Sequence, residues 1–166
     1  MGDVPNLIAD TEDVARILHR NWVVDGILQH YAFALRCNET YISVNRPAIS
    51  TYDADVSSFV TKHPDFYANE TQSEYMCTLV NVGDIRKTKV TFEDFTLNID
   101  VEVEPRDVHV KSHAGIFSRH AGKNIKNGEI LKFDDLREEV SSDEILLEVR
   151  SLLIEHARLE RRKLKP

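Results

Sequence analysis

The stretch Thr96-Leu97-Asn98-Ile99-Asp100-Val101-Glu102-Val103-Glu104 decides the fold. Apolar and polar residues alternate through all nine positions, the side-chain period of a β-strand with one face on a core and one in water. Lys89-Val90-Thr91-Phe92, just before Glu93-Asp94, reads as its hairpin partner, and Ala114-Gly115-Ile116-Phe117 as a further strand. Val108 and Val110 alternate with Asp107, His109 and Lys111 in the same manner. Adjacent strands of this kind predict an antiparallel sheet with one acidic, solvated face.

Working outward, Tyr41-Ile42-Ser43-Val44 reads as a strand ended by Arg46-Pro47, and Tyr75-Met76-Cys77-Thr78-Leu79-Val80 as a strand buried on both faces, followed by a turn at Gly83-Asp84. Asp25-Gly26, between Trp22-Val23-Val24 and Ile27-Leu28, supplies the positive-φ pair of a tight hairpin. Asp10 to Asp13 ahead of Val14, Ile17 and Leu18 predicts a short N-terminal amphipathic helix. Asp53 or Asp55 caps a second helix through Val56, Phe59 and Val60 that stops before Pro64. Ser141-Ser142-Asp143-Glu144 is a capping box for a long helix with Ile145, Leu146, Val149, Leu152, Leu153 and Ala157 on one stripe. The expectation is one α+β domain over residues 1–166, mainly antiparallel sheet, packed by an N-terminal helix and a long C-terminal helix. Residues 158–166 are expected as that helix's basic end or tail.

The chain has 166 residues and 42% apolar content, enough for one core and too apolar for a disordered segment. Two cysteines, Cys37 and Cys77, cannot staple a chain of this length and read as buried free thiols. No apolar run approaches the ~20 residues that cross a bilayer, and the first residues carry no signal-peptide pattern. A cytoplasmic chain with no membrane contact is the expectation. The formal charge is −7, and the span Asp53–Asp107 carries a net −7 by itself. That balance disfavours nucleic acid as a partner, because phosphate neutralisation needs a basic surface.

The basic end, with Arg158, Arg161, Arg162 and Lys163, is the expected binding surface for another protein or a second copy of this chain. No catalytic motif stands out, so the leading expectation is a non-enzymatic accessory or regulatory domain acting through protein–protein contact. The alternative is a nucleotide-binding or ADP-ribosyltransferase-like enzyme, or a degenerate form of one, using Arg20, Ser43 and His113. An arginine fork pairs bidentately with phosphate, and a small hydroxyl on a following strand completes the grip. The late strand His113-Ala114-Gly115-Ile116 lacks the acid such an enzyme needs.

His109, His113 and His120 fall within twelve residues, and imidazoles brought together hold metal or exchange protons near neutral pH. On a strand, side chains four apart lie roughly 13 Å from each other, so these three converge only if the chain turns between them. Neither a metal nor a cofactor is expected. The Arg119–Gly128 loop is basic and carries glycine but lacks P-loop spacing.

The short words Val24-Asp25-Gly26, Ala32-Phe33, Ile42-Ser43-Val44 and His113-Ala114, scattered over residues 17–117, resemble a family of small uncharacterised bacterial proteins. The resemblance implies a compact bacterial domain and no particular chemistry. Gly115 departs from it, standing where an acidic residue is expected.

Overall fold

The computed structural model describes residues 7–35, 39–92, 95–103 and 110–165. Its centre is an antiparallel sheet. The long strands are β1 (Asp13–Leu18), β4 (Tyr41–Asn45), β5 (Glu74–Asn81), β6 (Lys89–Phe92), β7 (Phe95–Val103), β8 (His113–His120) and β12 (Arg158–Lys163). They run in the order β12-β5-β1-β4-β8-β7-β6, with the short β9 (Lys123–Asn124) on β8. Two small hairpins stand apart from it: β2 (Val23–Val24) with β3 (Ile27–Leu28), and β10 (Ile130–Leu131) with β11 (Val140–Ser141). The helices are α1 (Tyr52–Lys62), α2 (Val82–Lys87) and α3 (Ser142–His156).

The alternation at 96–103 is realised in β7, where Leu97, Ile99 and Val101 are buried and Thr96 and Asn98 are exposed. The hairpin with β6 pairs Lys89 with Asn98 and Phe92 with Phe95. Asp25 and Gly26 turn the β2–β3 hairpin at φ 52° and 77°, the positive values a two-residue turn of this hand requires. Val108 and His109 lie outside the described residues, as does Cys37; Val110 is not in a strand.

Each sheet face has its own helix. Val14, Leu18, Ile42, Val44 and Ile116 pack with Ile145, Leu146, Val149 and Leu153 of α3. From the intervening positions of the same strands, Ala15, Ile17, Cys77 and Leu79 pack with Tyr52, Val56 and Val60 of α1. The α3 stripe is therefore covered by this chain's own sheet.

Three expected elements differ. The N-terminal helix is absent: Asp13–Leu18 is β1, paired along its length with β5. A central strand buries both faces, so its apolar residues at 14, 15, 17 and 18 mimic helical spacing. The expected turn at Gly83-Asp84 is the start of α2, whose first turn is capped by the Asn81 side chain accepting from the Asp84 amide. The basic C-terminal segment is not the end of a helix. Helix α3 stops at His156, Ala157 is extended at φ −79° and ψ 136°, and β12 then pairs residue by residue with β5. Good helix formers are overridden here because β5 offers an unpaired edge. The Ser141 hydroxyl caps α3 as expected, on the Asp143 amide rather than that of Glu144.

Candidate functional site

On the α1 face of the sheet, β4 and β8 are left uncovered by the helix's apolar residues, and a cleft of about 580 Å³ opens there. Tyr41, Ser43 and Asn45 of β4 and His113 of β8 form its floor. Asp55, Ser58, Phe59 and Lys62 of α1, spaced along one helical face, form a wall, and His63 extends it. Trp22 and Phe66 close one end, with ring centroids 5.6 Å apart in an edge-to-face contact.

Strand register explains the central contact. Ser43 pairs with Gly115 and Asn45 with His113, so Ser43 and His113 are diagonal neighbours on one sheet face. The Ser43 Oγ lies 2.5 Å from His113 Nε2. Both residues are half-buried. Gly115 makes the floor possible, since a Cβ there would sit 2.7 Å from the Tyr41 ring and 2.9 Å from Phe117.

The backbone of Ser43 is held from beneath. β1 and β4 pair only at Ala15 and Asn45. Beyond that point the Arg16 guanidinium bridges the gap, its Nη1 donating to the Ser43 carbonyl at 2.7 Å and its Nε to the Ala32 carbonyl at 3.0 Å. The same guanidinium lies 5.4 Å from the Trp22 ring centroid. Asp55 faces the cleft but its Oδ2 is engaged, accepting from the Ser112 amide at 3.1 Å and the Thr51 hydroxyl at 2.9 Å. It ties α1 to the start of β8. Lys62 lines the same wall, is exposed, and makes no ion pair among the described residues.

Of the residues expected to act together, Ser43 and His113 meet and Arg20 does not join them. Arg20 is exposed, pairs with Asp65 at 3.1 Å and does not line the cleft. His113 and His120 do not converge, since His120 is at the far end of β8 on the opposite face; His109 lies outside the described residues. His120 is buried between Phe95 and Phe133, at 4.7 Å and 4.6 Å between centroids, with Nε2 2.8 Å from Asp135 Oδ1. That hydrogen bond holds the Asp135 carboxyl below its ordinary value. Among the described residues no group of His, Cys, Asp and Glu side chains is arranged to hold a metal ion.

The basic C-terminal residues lie on β12 and are matched by this chain's own acids. Arg158 pairs with Asp13 at 2.8 Å, Arg161 with Glu74 at 3.3 Å and Arg162 with Glu160 at 2.8 Å. Lys163 is exposed. Sequence reasoning missed Lys62 and His63 as site residues, although the spacing of Asp55, Ser58 and Lys62 marks a second, polar stripe beside the apolar one of Tyr52, Val56 and Val60. The aromatic pair Trp22 and Phe66 carried no signal, because only tertiary folding joins them.

No family model, curated protein or solved structure matches this chain. What the fold and cleft define is a class: an α+β domain built on an antiparallel sheet, with a polar recess under one helix.

Proposed function

We propose that the protein binds a small molecule of the nucleotide type, an aromatic base carrying phosphate, in the cleft between α1 and strands β4 and β8. The observation that carries this reading is the Ser43–His113 contact on the floor of a recess walled by aromatic rings and an open lysine. Hydroxyl, imidazole and ammonium groups suit phosphate oxygens, and the Trp22 and Phe66 rings offer a stacking surface for a base. The volume of about 580 Å³ lies in the range of small-molecule sites. A thermal-shift series over adenosine and guanosine nucleotides, NAD and divalent metals tests it. A ligand at a hundred times its Kd adds about 2.7 kcal/mol of stability, which is several degrees for a domain of this size. A flat series with every nucleotide contradicts the reading.

A second reading, an accessory domain acting through a protein partner, is favoured by a different surface. β12 is an edge strand among the described residues, and edge strands are templates for pairing. Leu159 of this strand is 40% exposed and lines a shallow recess with Val23 and Gly26 of the β2–β3 hairpin and Met76. Light scattering after size exclusion at several salt concentrations tests self-association; a strict monomer at all of them contradicts that form of it.

A further inference from the structure

We infer that Ser43 is a nucleophile and His113 its base, and that the bond they act on is a phosphodiester of the bound ligand. This rests on the nucleotide reading above and adds the chemistry. The two atoms that must exchange a proton are already in contact, Ser43 Oγ to His113 Nε2 at 2.5 Å. That is the first geometric requirement of an activated serine. The partners come from adjacent strands of a sheet, which hold them more firmly than loops would. Arg16 fixes the Ser43 carbonyl. Phosphorus over Ser43 places its non-bridging oxygens beside the cleft that Lys62 faces, where a cation offsets the charge that builds in the transition state.

Water is the one co-reactant the step needs. With Nε2 unprotonated, His113 accepts the Ser43 hydroxyl proton as Oγ bonds to phosphorus. The P–O bond to the leaving group breaks with its electron pair on the departing oxygen, which takes the proton from His113. Water then attacks the Ser43-bound phosphoryl group, giving its proton to His113; the P–Oγ bond breaks with its electron pair on Oγ, which takes that proton, so that Ser43 and neutral His113 are both restored.

A fluorophosphonate probe undergoes the same attack by Ser43 Oγ at phosphorus and the reaction stops there, because fluoride leaves with the P–F electron pair and the phosphonylserine persists. The folded chain is incubated with the probe, and the modified residue is identified by peptide mass mapping. The expected result is one adduct, on Ser43, with labelling slowed about a hundredfold or more in His113→Gln, which keeps a polar side chain but cannot act as the base. No adduct on the native chain, or an adduct on another serine with Ser43 unmodified, overturns the inference. Mapping on the unaltered chain decides this even if the variant does not fold. The two proposals fail separately: nucleotide stabilisation without a Ser43 adduct leaves binding and removes the chemistry. An adduct without nucleotide stabilisation leaves the nucleophile and removes the ligand class.

Discussion

Gly115 lies opposite Ser43 in the β4–β8 ladder, and the ring of Tyr41 fills the space its side chain would need. Gly115→Ala therefore forces Tyr41 or Phe117 off its position, and overpacking of this kind costs about 1–3 kcal/mol. Chemical denaturation should show that loss, together with weaker stabilisation by any ligand that wild type binds, because Tyr41 is part of the floor. At this scale the sequence was half legible. Ser43 and His113 stand out as a hydroxyl on a strand and an imidazole at the start of another. That they touch depends on a register between strands some seventy residues apart, which no local pattern encodes. Arg20, whose guanidinium fork suits phosphate, is turned by folding toward Asp65 instead. Arg16, which does support Ser43, lies inside β1, where a charged residue reads as the polar side of a helix.

Elements are most legible in the sequence where a single face is buried. The period-two signal of β7 survives because one side meets the core and the other meets solvent. β1 departs from the expected helix because it is central and buried on both sides, and its start is fixed by a tertiary contact. Glu12, just ahead of β1, receives both Nε and Nη2 of Arg46, at 3.0 Å and 2.9 Å, and Arg46 is only 1% exposed. Glu12→Gln weakens two charge-assisted hydrogen bonds to this buried guanidinium and should cost about 1.5–3 kcal/mol, the usual range for hydrogen bonds to charged groups. The pair also sets an acid limit. Burial alone would raise the Glu12 carboxyl, but the Arg46 hydrogen bond, the Ala9 amide and the charges of Arg46 and Arg86 hold it below its ordinary value. A carboxyl lowered in the folded state stabilises fully above its unfolded value and loses that contribution as pH falls through the lowered one. Glu102 behaves in the same sense, lowered first by its hydrogen bond to Arg119. Urea unfolding should thus be unchanged from pH 7 down to about 5 and weaken below the ordinary carboxyl range near 4. Glu12→Gln should flatten that decline.

For the molecule as a whole, the charge map gains a physical meaning. The acidic middle and the basic end are joined across the sheet, as Arg161 to Glu74 and Lys165 to Asp53. β12 covers the edge of β5, beneath which Cys77 is wholly buried beside Tyr52 and Tyr75. Burial pushes the Cys77 thiol up to about 11. In the folded chain at pH 8 it should resist iodoacetamide and react only on unfolding, read by mapping the labelled peptide. Deleting residues 158–166 strips the ladder from β5. It should lower the melting temperature by several degrees and make Cys77 reactive, a result that a solvated helical tail would not produce. The α+β class, the antiparallel sheet and the α3 stripe were open to sequence reasoning because they follow from local periodicity. The cleft was not, because it exists only where α1 leaves β4 and β8 uncovered.

The most direct test is a titration of the isotopically labelled protein with ADP, followed by amide chemical shifts. Saturable changes are expected at Tyr41, Ser43, Lys62, His63 and His113, with Arg158–Lys163 unmoved. No change at saturating nucleotide, or changes confined to β12 and the β2–β3 hairpin, would contradict nucleotide binding in the cleft.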